Sequence, residues 1–278
     1  MVKIITDSST LYTIEEGSKA GIEAIPLCVS IGDWHGRDLQ MDMGEFYGQI
    51  QAGKIPTSSQ PPIGDVLDVY EKYSGQKMIN ISMADGLSGT YQSALGAREM
   101  ADNKEDITVF NSRTLCGPHR YMTDQARKMA EEGKSGEEIL GWLETAAGKT
   151  ESFLIPQDFV FLRRGGRLTP VAAAIGGLLK LKPILHLTQD GKKLDKFSVK
   201  RTMSSAVGSI LKHVHGKQLG AGHLMYIAHA DAPGEADGIK RIFAEAFPEL
   251  EIQILELSPA FVTQGGPQCV AIQYIERI

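Results

Sequence analysis

The stretch Met78-Ile79-Asn80-Ile81-Ser82-Met83-Ala84-Asp85-Gly86-Leu87-Ser88-Gly89-Thr90-Tyr91-Gln92-Ser93-Ala94 decides the fold. Its first six residues read as a buried strand. Its glycines and hydroxyls mark a turn, and a helix is predicted from about Ser88 to Met100. A buried strand that feeds a helix through a short polar turn is the unit of a parallel α/β sheet.

Working outward, the same alternation recurs. Strands are predicted at Val2–Thr6, Ile25–Ile31 and Ile107–Phe110. Helices are predicted at Thr13–Ala20, Asp42–Gln51, Tyr121–Glu132 and Ser135–Gly148, the last opened by a Ser135/Glu138 capping-box pattern. Beyond residue 150 the pattern changes. A strand at Ser152–Ile155 precedes a basic glycine turn, Arg163-Arg164-Gly165-Gly166-Arg167, and a small-residue helix at Pro170–Leu179. Pro183–Thr188 and Lys193–Val199 flank an Asp190-Gly191 turn and read as a hairpin. Helices at Met203–His213 and Glu235–Phe247 and strands at Leu224–Ala230 and Glu251–Leu257 follow. The expectation is a two-domain α/β chain. Residues 1–150 carry a parallel sheet with helices, and residues 151–278 a mixed sheet with helices.

Bulk properties narrow the function. The chain has 278 residues, 42% hydrophobic and 23% charged, which suits a folded soluble protein of one large or two ordinary domains. Its formal net charge of −5 argues against nucleic acid as the main partner, because that affinity rests on a basic surplus. Cys28, Cys116 and Cys269 are scattered, form no CxxC pair and fit a reduced, cytoplasmic setting. The N-terminus reads as a first strand and not as a signal peptide. The most apolar run, Val171–Leu179, is too short to span a bilayer.

Several motifs fail on spacing. Gly133-Lys134-Ser135 resembles the end of a P-loop, but Lys128 stands where the first glycine belongs. Gly220-Ala221-Gly222 has Met225 at the third glycine position of a dinucleotide fingerprint. His213 and His215 fall on different helix faces and fit helix-end capping better than a metal site. No GxSxG elbow occurs.

Three polar clusters remain. Thr57-Ser58-Ser59-Gln60-Pro61 sets hydroxyls between prolines and can donate to an anion; it also fits a plain turn. Ser88-Gly89-Thr90 sits at a predicted helix N-terminus, where free N–H groups favour an anion; it also fits a simple N-cap. Arg163, Arg164 and Arg167 around Gly165-Gly166 can clamp a carboxylate or phosphate, or form a solvated turn. The aliphatic run through Ile175, Leu178 and Leu179 can line a slot for a hydrocarbon chain, or pack a helix on a sheet.

At these residues the chain resembles the DegV family of bacterial fatty-acid-binding proteins. The likeness runs nearly end to end. It is carried by Thr6-Asp7-Ser8-Ser9, Thr57-Ser58-Ser59-Gln60-Pro61, Leu87-Ser88-Gly89-Thr90, Phe161-Leu162-Arg163-Arg164-Gly165-Gly166-Arg167-Leu168 and Gly177–Leu185. The resemblance implies a lipid-binding protein without catalysis or cofactor. One long-chain fatty acid would lie in a buried apolar tunnel near Ile175, Leu178 and Leu179, its carboxylate held by Ser58 and Ser88, with Thr90 a further candidate. Arg167 would serve the carboxylate or an incoming phosphate. Gln264 stands where the family usually has a histidine. In several bacteria such proteins are the acyl-carrying subunit of a fatty acid kinase, so an ATP-binding kinase subunit is the implied partner. The competing reading is a small-molecule phosphotransferase or hydrolase that uses the Ser and Arg clusters with Asp7 or Asp85. His119 is the nearest candidate base.

Overall fold

The computed structural model describes residues 1–174 and 181–278. The chain divides into two compact units, Met1–Gly148 and Lys149–Ile278. The first unit runs β1 (Lys3–Asp7), α1 (Ile14–Lys19), β2 (Glu23–Ile25), β3 (Cys28–Ile31), β4 (Trp34–Arg37), α2 (Met43–Gln51), β5 (Thr57–Ser59), α3 (Ile63–Lys72), β6 (Met78–Ser82), α4 (Thr90–Met100), β7 (Ile107–Asn111), α5 (Cys116–Glu131) and α6 (Gly136–Ala147). The second runs β8 (Thr150–Ile155), α7 (Phe159–Gly165), α8 (Pro170–Ala173), β9 (Lys182–Leu187), β10 (Leu194–Lys200), α9 (Met203–His215), β11 (His223–His229), α10 (Pro233–Ala246), β12 (Glu251–Glu256), α11 (Pro259–Gly265) and β13 (Val270–Glu276).

The first unit is built on a parallel sheet in the order β2-β1-β6-β7. Every residue of β6 is buried, as its apolar run requires when helices cover both faces. Val66 and Tyr70 of α3 pack with Ala94 and Ala97 of α4 against Ile5 and Met78. Asn80 is buried in the same sheet but satisfied: its Nδ2 donates to Tyr70 Oη at 2.8 Å. Helix α3 was not expected, although Ile63, Val66 and Tyr70 follow a helical repeat.

The predicted strand Ile25–Ile31 is in fact two strands in two different sheets. Glu23–Ile25 joins the parallel sheet, whereas Cys28–Ile31 pairs with β4 and β5 in a small antiparallel sheet. Pro26 explains the break, since it has no N–H for a ladder. The Leu27 N–H turns aside and donates to Ser8 Oγ at 3.1 Å.

The second unit carries a six-stranded mixed sheet, β10-β9-β8-β13-β11-β12, in which only the β11–β12 pair is parallel. The β9–β10 hairpin forms where Asp190-Gly191 predicts it, with Gly191 at φ 70°. Helices α7 and α11 were not expected, nor was β13, which follows α11 and lies in the middle of the sheet, antiparallel to both β8 and β11. The basic turn also starts later than expected. Arg163 and Arg164 belong to the last turn of α7, and the chain reverses at Gly166, φ 69°.

Candidate functional site

In the parallel sheet, β1 leads to β2 on one side and the chain then returns to β6 on the other. Ligands bind outside the carboxyl ends of strands at such a switch point. The residues found there are Asp7-Ser8-Ser9 after β1 and Met83 to Thr90 after β6.

Asp7 ties the two strand ends together. One carboxylate oxygen accepts from Ser9 N and the other from Met83 N, both at 2.9 Å, and the side chain is buried. Ser8 Oγ donates to Asp38 at 2.8 Å. His119 lies beneath this layer, fully buried. Its Nε2 is 3.0 Å from the Ile81 carbonyl, which can only accept, so Nε2 carries the proton. Nδ1 therefore accepts from Ser9 Oγ at 2.6 Å. Burial pushes the imidazole below the usual histidine range, against the opposing pull of the Asp7 charge. The arrangement locks the switch point in place. It offers no exposed nucleophile and no open base, which counts against the hydrolase reading of Asp7 and His119.

Ser58 sits at the centre of β5, opposite Val29 of β3. Ser88 and Thr90 open α4: their hydroxyls are 2.8 Å apart, and Ser88 Oγ accepts from Thr90 N at 3.3 Å. The two segments meet. Ser93 Oγ donates to the Pro61 carbonyl at 2.6 Å, and a Cβ at Gly89 would stand 3.1 Å from the Gln60 side chain. Sequence reasoning passed over Ser93, although it shares a helical face with Thr90 at i+3. A hollow of about 450 Å³ borders this seam, lined by Ser59, Gln60, Pro61, Gly89, Gln92 and Ser93 among others. Its wall sets the amide and hydroxyl groups of Gln60, Gln92, Ser59 and Ser93 beside the apolar Cys28, Pro62 and Ile63.

The second unit holds the other two polar candidates. The Arg167 guanidinium donates to the Gly165 carbonyl, and Gln264 Nε2 donates to Thr263 Oγ1 at 3.1 Å. Gln264 Oε1 occupies the space where a Gly165 side chain would be. Arg167 and Gln264 thus meet on one residue at the end of α7, while Arg163 and Arg164 lie further back on the helix. The proposed chain-lining residues Ile175, Leu178 and Leu179 lie outside the described residues.

The features rejected on spacing have local explanations. Ser135 caps α6 in a full capping box with Glu138, so Gly133-Lys134-Ser135 is a helix–helix turn. His213 and His215 lie in the last turn of α9, as expected, and His213 Nε2 also meets the Glu151 carboxylate at 3.0 Å. Among the described residues, no group of three His, Cys, Asp or Glu side chains could hold a metal.

The family model described as "Uncharacterised protein, DegV family" matches residues 1–277. This chain belongs to the DegV family. The protein named DegV from Bacillus subtilis is 31% identical over 256 residues, covering 90% of each chain. The crystal structure of Bacillus subtilis DegV, described as a fatty acid binding protein, superposes with a TM-score of 0.86 at 29% identity, covering 99% of both chains. A DegV-family protein from Thermus thermophilus, described by its fatty acid binding, gives 0.88 at 25% identity, again covering 99% of both. Both likenesses extend over a DegV-family chain of parallel-sheet and mixed-sheet units like those described above.

Proposed function

We propose that this chain binds one long-chain fatty acid as a non-catalytic carrier. The single observation that carries the reading is its full-length similarity to Bacillus subtilis DegV, a protein described as fatty acid binding. In this reading the hydroxyls of Ser58, Ser88 and Thr90 hold the carboxylate. Arg167 and Gln264 serve its charge or an incoming phosphate. The acyl chain lies in an apolar tunnel that includes Ile175, Leu178 and Leu179.

The chemistry of the candidates supports the assignment. Ser88 and Thr90 pair their hydroxyls at the start of an 11-residue helix, where N–H groups and dipole favour an anion. Each buried methylene contributes about 0.8 kcal/mol, so a chain of roughly fifteen gives on the order of 12 kcal/mol gross. Association and ordering offset several kcal/mol of that. The remainder supports tight retention, with the head group fixing position more than affinity.

We further propose a cytoplasmic location and an ATP-binding kinase subunit as partner, to which the carboxylate is presented for phosphorylation. Among the described residues, no helix is long and apolar enough to cross a membrane. The test is solvent extraction of the purified protein followed by mass spectrometry. One equivalent of a C14–C18 fatty acid is expected. An empty extract that stays empty after incubation with palmitate or oleate would overturn the proposal.

A further inference from the structure

Adjacent glycines at 165 and 166 have different physical reasons to be glycine. Gly166 has φ 69°, the left-handed region that ends α7. Gly165 has no such backbone requirement. What it lacks is room: a Cβ there would collide with Gln264 Oε1, with the Gln264 amide carbon at 3.3 Å and Arg167 Cδ at 3.9 Å.

The carbonyl of the same residue accepts from the Arg167 guanidinium. One residue without a side chain therefore supports two polar groups from different elements: the arginine just past α7 and the glutamine on α11. The two glycines that end α11 are also closely packed. A Cβ at Gly266 would stand 3.1 Å from the Phe161 ring, and one at Gly265 would press on Cys269 Sγ. At Gly165, unlike those two, the obstructing atom is the tip of a flexible side chain. A methyl group there would displace the Gln264 amide without forcing the backbone to move.

We propose that Gly165 is a positioning residue for head-group recognition: its missing side chain sets the Gln264 amide beside the Arg167 guanidinium. The proposal rests on the assignment of Gln264 and Arg167 to the carboxylate.

The experiment is a double-mutant cycle of G165A and Q264A, read by palmitate titration, thermal melting and the NMR signal of the Gln264 side-chain amide. G165A is expected to shift that amide signal in ligand-free protein, to leave the melting temperature within a few degrees of wild type, and to weaken palmitate binding roughly tenfold. In the Q264A background, G165A is expected to cause no further loss. Gly141→Ala, at a helical position with nothing within 4 Å of the new Cβ, is the control for glycine replacement. An unmoved amide signal, or a G165A loss that persists undiminished in Q264A, would overturn the proposal. Failure of the wild-type protein to bind palmitate would instead refute the carrier reading, while the amide shift would still report whether Gly165 positions Gln264.

Discussion

Ser9 Oγ lies 2.6 Å from His119 Nδ1, although the two residues are 110 positions apart in the chain. With Nε2 held by the Ile81 carbonyl, the imidazole ties the turn after β1 and strand β6 to α5 and must stay neutral to accept from Ser9. Its folded pKa is lowered relative to the unfolded chain. The unfolded state therefore binds the proton more readily. The stability from neutral His119 is fully present above the ordinary histidine pKa, about 6.5, and is lost as pH falls through that value towards the lower folded one. Urea unfolding between pH 8 and pH 5 should show a falling midpoint, and His119→Gln should flatten the dependence. A variant as acid-sensitive as the wild type would remove His119 from this role.

Ser88→Ala removes both the hydroxyl partner of Thr90 and the acceptor for Thr90 N. Loss of these local hydrogen bonds lowers stability by about 1 kcal/mol, whereas the loss of bound fatty acid should be the larger effect, near tenfold. Ser58→Ala, in the middle of β5, should likewise reduce loading. Lipid content measured beside thermal melting separates the two effects.

Ser8 is shared between Asp38 and the Leu27 N–H at the point where the chain leaves one sheet for another. Ser8→Ala withdraws a donor from a buried carboxylate and an acceptor from a backbone amide. Roughly 2–3 kcal/mol of destabilisation is expected, with no new cavity of consequence. Denaturant titration measures it, and a change below 0.5 kcal/mol, the ordinary range for surface substitutions, would contradict the account.

The cysteines should differ sharply in reactivity. Cys269 is buried, with its thiol pushed up to about 12 by desolvation, and Cys116 is buried as well. Cys28 is half-buried. Iodoacetamide on the native protein should label Cys28 first and reach the other two only after unfolding. Peptide mapping by mass spectrometry reads the order directly.

In the middle of the second unit's sheet, Gln273 Nε2 donates to Ser152 Oγ at 2.9 Å, both side chains buried. Gln273→Ala leaves a gap between β13 and β8 and removes the bond. About 2–4 kcal/mol of destabilisation should follow. A melt indistinguishable from wild type would mean that β13 is not the central strand.

What the sequence by itself determined is what short-range chemistry specifies. The Ser135/Glu138 capping box needs three residues' separation, the Asp190-Gly191 hairpin needs two turn residues, and the buried strand Met78–Ser82 announces itself by unbroken apolarity. The TSSQP and LSGT segments could be singled out because hydroxyls between prolines or at a helix start are local signals too. Only the tertiary structure decided that Ile25 and Cys28 belong to different sheets, that β13 fills the centre of its sheet, and that Arg167 and Gln264 meet on Gly165. Each of these depends on a contact between residues far apart in the chain, and such a contact leaves no periodic trace. A glycine kept small by a distant glutamine and a glycine kept for a turn look identical in the sequence. The difference lies in what occupies the space where the side chain would be.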